Sequence, residues 1–177
     1  MPTVVGKNEA GPAATPTIGV LALQGDVHAH AAALAACGAK VKRVRRPEEL
    51  DSIDGIVIPG GESTTIGALA ETYGVFEPLR KRIAAGMPAF GSCAGAILLA
   101  SEIVDGRPDQ RCLQGIDMTV RRNAFGRQVD SFEADLVIEG ITDNPTRPGL
   151  LRAIFIRAPW IERAGTDVQV LARYGGR

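Results

Sequence analysis

The sequence predicts an α/β fold whose first half consists of βαβ units around a parallel sheet. In that half, short apolar runs alternate with helical segments at a spacing typical of strands joined by right-handed crossovers. After about residue 104, segments with alternating polar and apolar residues predominate. We therefore expect a strand-rich second half with some antiparallel pairs. The 177 residues suffice for one domain with a substantial core, and we assign 17–177 to it.

The elements follow in chain order from local composition. Residues 1–16 mix Pro, Gly, Ala and polar residues without a period, which predicts a disordered tail. Asp26 is suited to cap the first helix and Gly38 to end it.

The predicted first-half strands are Ile18–Leu23, Val41–Val44, Gly55–Pro59 and the apolar run beginning at Met87. The predicted helices are 26–37, 63–70, 76–85 and the run after Cys93. The predicted second-half strands are Ile116–Arg121, Ser131–Ile138, Ala153–Ile156 and Val168–Ala172.

Composition excludes several classes of function. Twenty basic and 20 acidic residues give a formal net charge of zero, which gives no case for a nucleic-acid partner or an anionic membrane. No apolar run approaches the length of a membrane span, and no N-terminal leader is apparent, so we expect a cytoplasmic protein. Three cysteines without close pairing suggest neither a disulfide framework nor a zinc site, and we predict no metal.

The most informative stretch combines a short apolar run at 87–90, Gly-Ser-Cys-Ala-Gly at 91–95 and an Ala- and Leu-rich run to residue 100. This order is typical of a nucleophile elbow with Cys93 at its tip. Glycines on both sides suit a sharp turn in which neighbouring backbones pass close together. At the start of a helix, free N–H groups favour the thiolate, the reactive form of cysteine. A small buried cysteine between packing glycines is the plain alternative, but the symmetric pattern favours a nucleophile.

Two further turns are expected at the same sheet edge, because ligands bind beyond the carboxyl ends of parallel strands. Gln24-Gly25 follows the first strand and Gly60-Gly61 follows the third. The N–H groups of Gly60-Gly61 can face an oxyanion, and the residue after an elbow nucleophile, here Ala94, usually supplies a second N–H. Taken alone, Gly60-Gly61 is more typical of an ordinary turn, but its position one βα unit before a Cys elbow favours the functional interpretation.

The remaining polar candidates are less specific. The only histidines are His28 and His30, and their i, i+2 spacing directs them to different faces of a helix. We expect surface or capping roles for both, and no histidine follows Cys93. Arg122 and Arg157 could each hold a substrate carboxylate through charge-assisted hydrogen bonds. Taken alone, each could equally lie in solvent.

Five segments of the chain carry a family pattern. The most specific are Pro-Gly-Gly-Glu-Ser-Thr-Thr at 59–65 and Arg-Asn-Ala-Phe-Gly-Arg-Gln-Val-Asp-Ser-Phe-Glu at 122–133. The others lie at 19–25, 91–95 and 155–159. Together they resemble the glutaminase subunit of pyridoxal 5′-phosphate synthase, a family of class I glutamine amidotransferases. The resemblance extends from about Ile18 to the last residue.

The resemblance implies a fold and an activity. The fold would be a three-layer, doubly wound, mostly parallel sheet with helices on both faces. The activity would be hydrolysis of L-glutamine to glutamate and ammonia, with the ammonia passing to a barrel-shaped synthase subunit for pyridoxal phosphate (vitamin B6) synthesis. By position, Cys93 would be the nucleophile and Gly61 with Ala94 the oxyanion hole. Glutamine contacts would come from Gly61, Glu62, Ser63, Arg122, Ile156 and Arg157. The glutaminase reaction needs no metal or organic cofactor.

The sequence departs from the family at one point. The family completes its triad with His and Glu in a His-Pro-Glu motif near the C-terminus, and these 177 residues contain no such motif. We expect a C-terminally truncated form of a normal enzyme, because the other motifs are intact. Two alternatives stay open: a catalytically incomplete binding or regulatory subunit of the same complex, and a different Cys-elbow hydrolase that acts on an ester or a lactone.

Overall fold

A four-stranded parallel sheet forms the first half of the chain. The computed structural model describes residues 14–122, 131–142 and 149–175, so most of the predicted N-terminal tail lies outside the described residues. The strands are β1 (Thr17–Leu21), β2 (Lys40–Val44), β3 (Gly55–Ile58) and β4 (Ala89–Gly91), in the spatial order β2-β1-β3-β4. All three pairings are parallel, as the alternation of strands and helices predicted.

Helices connect these strands. They are α1 (Val27–Ala36), α2 (Ser63–Thr72), α3 (Phe76–Ala84) and α4 (Ala94–Leu99), and a short 3-10 helix covers Pro47–Ser52. Asp26 caps α1, because its carboxylate accepts a hydrogen bond from the Ala29 N–H at 3.0 Å. Gly38 follows the C-cap of α1 with a φ of 84°, the left-handed conformation that glycine adopts most easily. The sequence therefore predicted both ends of α1 correctly.

The strand order creates a topological switch point between β1 and β3. The chain moves from β1 to β2 in one direction and then crosses back to β3 and β4. Right-handed crossovers place α1 on one face of such a sheet and α2 and α3 on the other. In open α/β sheets, ligands bind beyond the carboxyl ends of the strands at such a switch point, so the loops after β1 and β3 are the first place to look for a site.

The second half forms two smaller sheets in the described residues. The strands β5 (Ala100–Val104), β6 (Ile116–Arg121) and β9 (Trp160–Ala164) form one sheet, in which β6 pairs parallel with β5 and antiparallel with β9. The strands β7 (Phe132–Leu136) and β8 (Leu151–Phe155) form an antiparallel pair. The expected strand-rich half with antiparallel pairs is confirmed.

One predicted strand is wrong. The segment Val168–Ala172 has no strand structure, although its backbone accepts one hydrogen bond, from the Glu139 N–H to the Leu171 carbonyl at 3.1 Å. Among the described strands none pairs with this segment, and alternation of side chains alone is a weak signal for a strand. The strands β5 and β9 were not predicted, because β5 continues directly from the apolar helix α4 and β9 is rich in charged residues.

The core lies between the parallel sheet and the helices α2, α3 and α4. Its members are buried aliphatic side chains, among them Leu21, Val44, Ile56, Ile58, Ile66, Leu79, Leu98 and Leu99. Burial of this apolar surface is the main favourable term in folding. The core fixes the carboxyl ends of β1, β3 and β4, from which the three predicted site loops emerge.

Candidate active site

Cys93 lies at a sharp turn between β4 and α4. Its φ is 48° and its ψ is −104°, a strained conformation for a residue other than glycine, and its side chain is exposed. A Cβ atom at Gly91 would overlap the Gly95 backbone, and a Cβ at Gly95 would overlap the Ile58 carbonyl. The predicted close passage of backbones on both sides of the cysteine is confirmed.

The elbow opens into a cleft of about 920 Å³. Its lining includes seven of the eight residues that the sequence predicted for the site: Gly61, Glu62, Ser63, Cys93, Arg122, Ile156 and Arg157. Ala94 is 1% exposed and lies directly behind Cys93 in the chain, as the first residue of α4. Residues separated by almost 100 positions in the chain thus meet at one surface.

The turn after β3 lies against the elbow. A Cβ at Gly60 would come 3.5 Å from the Cys93 Cβ, so the backbone of this turn runs close to the thiol-bearing residue. Gln24, from the loop after β1, accepts a hydrogen bond from the Glu62 N–H at 2.9 Å, and its side chain fills the space a Cβ at Gly61 would need. The three loops predicted at this sheet edge therefore meet. The oxyanion role of Gly61 and Ala94 stays a prediction.

Three residues of the cleft lining, Glu62, Ser63 and Arg122, are joined by hydrogen bonds in which Gln110 also takes part. We call these four side chains the polar ring. Arg122 donates from Nη2 to Glu62 Oε1 at 2.7 Å and from Nη1 to Gln110 Oε1 at 2.9 Å. Gln110 Nε2 donates to Ser63 Oγ at 2.9 Å, and Ser63 adjoins Glu62 in the chain. The ring joins the start of α2 to the end of β6 and includes three of the predicted substrate-binding residues.

The carboxyl group of Glu62 is ionised over a wide pH range, because its pKa is lowered. Partial burial acts to raise the pKa of its carboxyl group, but hydrogen bonds from Thr64 and Thr65 outweigh that effect and lower the pKa from 4.5 to about 2. The second oxygen of Glu62 accepts from the Thr64 hydroxyl, from the Thr65 N–H at 2.7 Å and from the Thr65 hydroxyl at 3.0 Å. The cleft therefore presents a fixed negative charge beside the positive charge of Arg122.

Because of this lowered pKa, we expect the Glu62→Gln variant to be less stable than the unmodified chain at neutral pH, by an amount that shrinks as the pH falls. The carboxylate stabilises the fold fully above pH 4.5, and this contribution is lost as the pH falls towards 2. Because the side chain is 41% exposed, we expect a cost on the order of 1 kcal/mol at pH 7, well below the full value of the shift. Urea unfolding at pH 7, 5 and 3.5 measures it.

The exposed Glu48 of the 3-10 helix offers a matched control, since Glu48→Gln removes the same charge from a surface position. We expect no comparable effect there. A stability difference between the unmodified chain and Glu62→Gln that stays constant from pH 7 to pH 3.5 would contradict the assignment.

The expectation for His30 was wrong. Its ring lies in the cleft, half-buried, with Nε2 3.0 Å from the Ser92 hydroxyl oxygen, next to Cys93 in the chain. His28 is exposed, so the predicted divergence of the two histidines is confirmed. No local sequence pattern indicated this contact, because it joins α1 to the elbow across 62 positions.

Two segments of the second half complete the cleft. Ile156, Arg157 and Pro159 follow β8, and Arg157 has a φ of 44°, a conformation that non-glycine residues adopt mainly at constrained sites. Of the family string at 122–133, the residues 123–130 lie outside the described part of the chain. Its first residue, Arg122, is 16% exposed in its side chain and belongs to the polar ring.

The other two cysteines differ from Cys93 in position. Cys37 is exposed at the end of α1, and Cys112 is half-buried in the loop before β6. Burial, with a smaller effect of Glu102, raises the pKa of the Cys112 thiol and disfavours its reactive form. Neither lines the cleft.

Within the described residues, no group of three or more His, Cys, Asp or Glu side chains could hold a metal ion. The described helices include none that is both long and apolar enough to cross a membrane.

The sequence did not single out Ser92, which lines the cleft, or Gln110, which is hydrogen-bonded to two residues of the cleft lining. Gln110 lies in a polar loop and Ser92 between glycine and the elbow cysteine, and neither position shows a pattern typical of binding. The roles of both depend on how distant loops meet.

Comparison with known proteins places this geometry in a family. The family model described as SNO glutamine amidotransferase family matches residues 20–177. A protein of Nocardia farcinica (strain IFM 10152), named pyridoxal 5'-phosphate synthase subunit PdxT, is 65% identical over 157 residues, or 89% of this chain and 67% of that protein. A protein of Rhodococcus jostii (strain RHA1) with the same name is 64% identical, over 89% of this chain and 76% of that protein.

A solved structure agrees with these relatives. It is titled as the crystal structure of a glutamine amidotransferase and is similar with a TM-score of 0.80 and 50% identity, over 90% of this chain and 80% of that one. The fold predicted from the sequence, a mostly parallel sheet of the class I glutamine amidotransferase type, is confirmed. The chain belongs to the SNO glutamine amidotransferase family.

Proposed function

We propose that this chain hydrolyses L-glutamine to glutamate and ammonia, with Cys93 as the nucleophile. The observation that carries the proposal is the position of Cys93. The thiol is exposed at a strained elbow, in a cleft whose lining also includes Glu62, Ser63 and Arg122. Membership of a glutamine amidotransferase family supports glutamine as the substrate.

In the proposed reaction the Cys93 thiolate attacks the side-chain amide carbon of glutamine. The N–H groups of Gly61 and Ala94 stabilise the negative charge that develops on the carbonyl oxygen. The amide nitrogen takes up the thiol's proton and leaves as ammonia, which gives a glutamyl thioester. Water then attacks the thioester, releases glutamate and restores the thiol.

The opposite charges in the cleft suit the two charged groups of an amino acid. Arg122 and Arg157 can bind the α-carboxylate through charge-assisted hydrogen bonds. Glu62, which keeps its negative charge down to low pH, can bind the α-ammonium group. Ser63 and the backbone at Ile156 lie beside them and bound the same space. This arrangement discriminates a zwitterionic amide from a simple ester or lactone.

We further propose that the ammonia passes to a barrel-shaped synthase subunit that makes pyridoxal 5′-phosphate. The support is the shared name of the relatives, which describes each as a subunit of that synthase. Pyridoxal phosphate would then be the product of the complex, a lyase, and no cofactor of this chain. Three free cysteines are compatible with a reducing compartment, which supports a cytoplasmic location.

The proposal predicts selective labelling by a glutamine-mimicking electrophile, 6-diazo-5-oxo-L-norleucine. We expect alkylation of Cys93 at least about tenfold faster than of Cys37, because binding holds the reagent beside the thiol. Cys112 should react slowest, because its raised pKa leaves little thiolate. Peptide mass spectrometry measures the three rates in one sample, and excess L-glutamine should protect Cys93 alone.

Cys37 provides an internal reference, since it is exposed and lies outside the cleft. Equal labelling of Cys93 and Cys37, without protection by glutamine, would contradict the proposed substrate. Binding to the synthase subunit without any glutamine hydrolysis would instead favour a role as a binding subunit.

A further inference from the structure

Gln110 occupies a central position in the polar ring although no family segment contains it. It lies half-buried in the loop between β5 and β6. Its side chain bridges Arg122 and Ser63, with both hydrogen bonds at 2.9 Å. Two residues proposed to contact glutamine are thus joined through a third that was assigned no role.

Chemistry fixes the orientation of the Gln110 amide. A guanidinium group only donates hydrogen bonds, so the amide oxygen must face Arg122. The amide nitrogen then faces Ser63, whose hydroxyl oxygen accepts. An apolar side chain of the same length could satisfy neither partner, and Ser63 is only 2% exposed, with little access to water as a replacement.

Arg122 is therefore held at two of its nitrogens before any ligand arrives. Glu62 accepts from Nη2 and Gln110 accepts from Nη1, at 2.7 and 2.9 Å. The negative charge of Glu62 attracts the guanidinium of Arg122 from many directions. Gln110 is neutral, so its hydrogen bond orients the guanidinium without neutralising the positive charge. Fixing a long side chain in advance removes an entropic cost that binding would otherwise carry.

We propose that Gln110 is a positioning residue for recognition of the amino-acid end of glutamine. It acts through Arg122, whose guanidinium it orients towards the α-carboxylate, and through Ser63, which it fixes at the start of α2. This inference rests on the proposed glutaminase function. It assigns to the β5–β6 loop a part in substrate affinity, separate from the thiol chemistry at the elbow.

The test compares two alkylating reagents on the full 177-residue chain. Iodoacetamide reports the reactivity of the Cys93 thiol, and 6-diazo-5-oxo-L-norleucine reports that reactivity together with recognition. In Gln110→Met we expect the second-order rate of diazoketone labelling at Cys93 to fall about tenfold, as befits a lost hydrogen bond to a charged group. The iodoacetamide rate at Cys93, relative to Cys37, should not change.

Gln114→Met is the matched control, since Gln114 is exposed on the same loop and is not a member of the polar ring. It should leave both rates unchanged. Gln110→Glu keeps the length and the acceptor that faces Arg122, but it removes the N–H that donates to Ser63 and places a second carboxylate on Arg122. We expect diazoketone labelling of Cys93 to be slower in Gln110→Glu as well, and this variant is the one to measure if Gln110→Met fails to fold.

The outcomes separate the two proposals. If the unmodified chain shows no preference of the diazoketone for Cys93 over Cys37, the glutaminase proposal fails and this inference with it. If the unmodified chain is selective and both Gln110 variants label at the same rate, the positioning role is overturned and the glutaminase proposal stands. A parallel fall in the iodoacetamide rate would show a structural role only and would also overturn it.

Discussion

Cys93→Ser is expected to lower glutamine hydrolysis by at least about three orders of magnitude. A serine hydroxyl ionises far less than a thiol near neutral pH and is therefore a much poorer nucleophile without dedicated activation. Serine is similar in size to cysteine and should adopt the same elbow conformation, so the loss would report the missing thiol. Ammonia release from glutamine, with the synthase subunit present, measures the effect.

Cys37→Ser is the control for this experiment, because it removes an equally exposed thiol outside the cleft. It should hydrolyse glutamine as fast as the unmodified chain. Retained hydrolysis in Cys93→Ser would contradict the nucleophile assignment. No hydrolysis by the unmodified chain either would contradict the proposed activity and leave the fold and family membership intact.

Gly95→Ala is expected to destabilise the fold by roughly 3–5 kcal/mol. The added methyl group would overlap the Ile58 carbonyl, which already accepts a hydrogen bond from the Ser92 N–H at 3.2 Å. Neither backbone can move without breaking the contact between β3 and the elbow. A loss of this size approaches the whole stability of a small domain. Urea unfolding followed by circular dichroism measures it.

Gly67→Ala makes the same chemical change inside α2 and serves as the comparison. The nearest atom to its new methyl group would be Leu98 Cδ2 at 3.7 Å, an ordinary van der Waals contact. Because alanine favours the helix, we expect stability equal to that of the unmodified chain or up to about 1 kcal/mol higher. Similar unfolding midpoints for the two variants would contradict the close passage at the elbow.

The first half of the fold was predictable because buried parallel strands appear as continuous apolar runs. The run at Gly55–Ile58 is buried at all four positions, so the bounds of this strand could be predicted closely. The elbow was predictable for a similar reason, since only glycine fits where two backbones nearly touch, at Gly91 and Gly95. In each case a local residue choice follows from a strong steric or burial requirement.

The second half lacked such requirements. The charged strand β9 forms because β6 is available as a partner, and nothing in its own sequence indicates a strand. The segment Val168–Ala172 pairs with none of the strands that the structure describes and is irregular. Strand formation at these positions depends on tertiary context more than on propensity.

The site residues likewise fall into those that a local motif predicts and those that depend on contacts between distant parts of the chain. Cys93, Glu62 and Arg122 were predicted from the elbow pattern and the family strings, and all three line the cleft. His30 and Gln110 were not predicted, because His30 reaches the cleft and Gln110 the polar ring through contacts with residues 62 and 47 positions away, respectively. Single-residue signals cannot show which polar side chains of distant loops will meet.

The polar ring has a consequence for the motions of the cleft. It connects the loop after β3 in one sheet with the end of β6 in another through a few hydrogen bonds that are partly exposed to water. Partly exposed hydrogen bonds break and re-form readily because water can replace either partner, whereas the apolar core beneath them opens only rarely. Loss of these bonds would therefore loosen the rim while the core stays folded. Amide hydrogen exchange at the start of α2 should accordingly be much faster than exchange in β1 and β3.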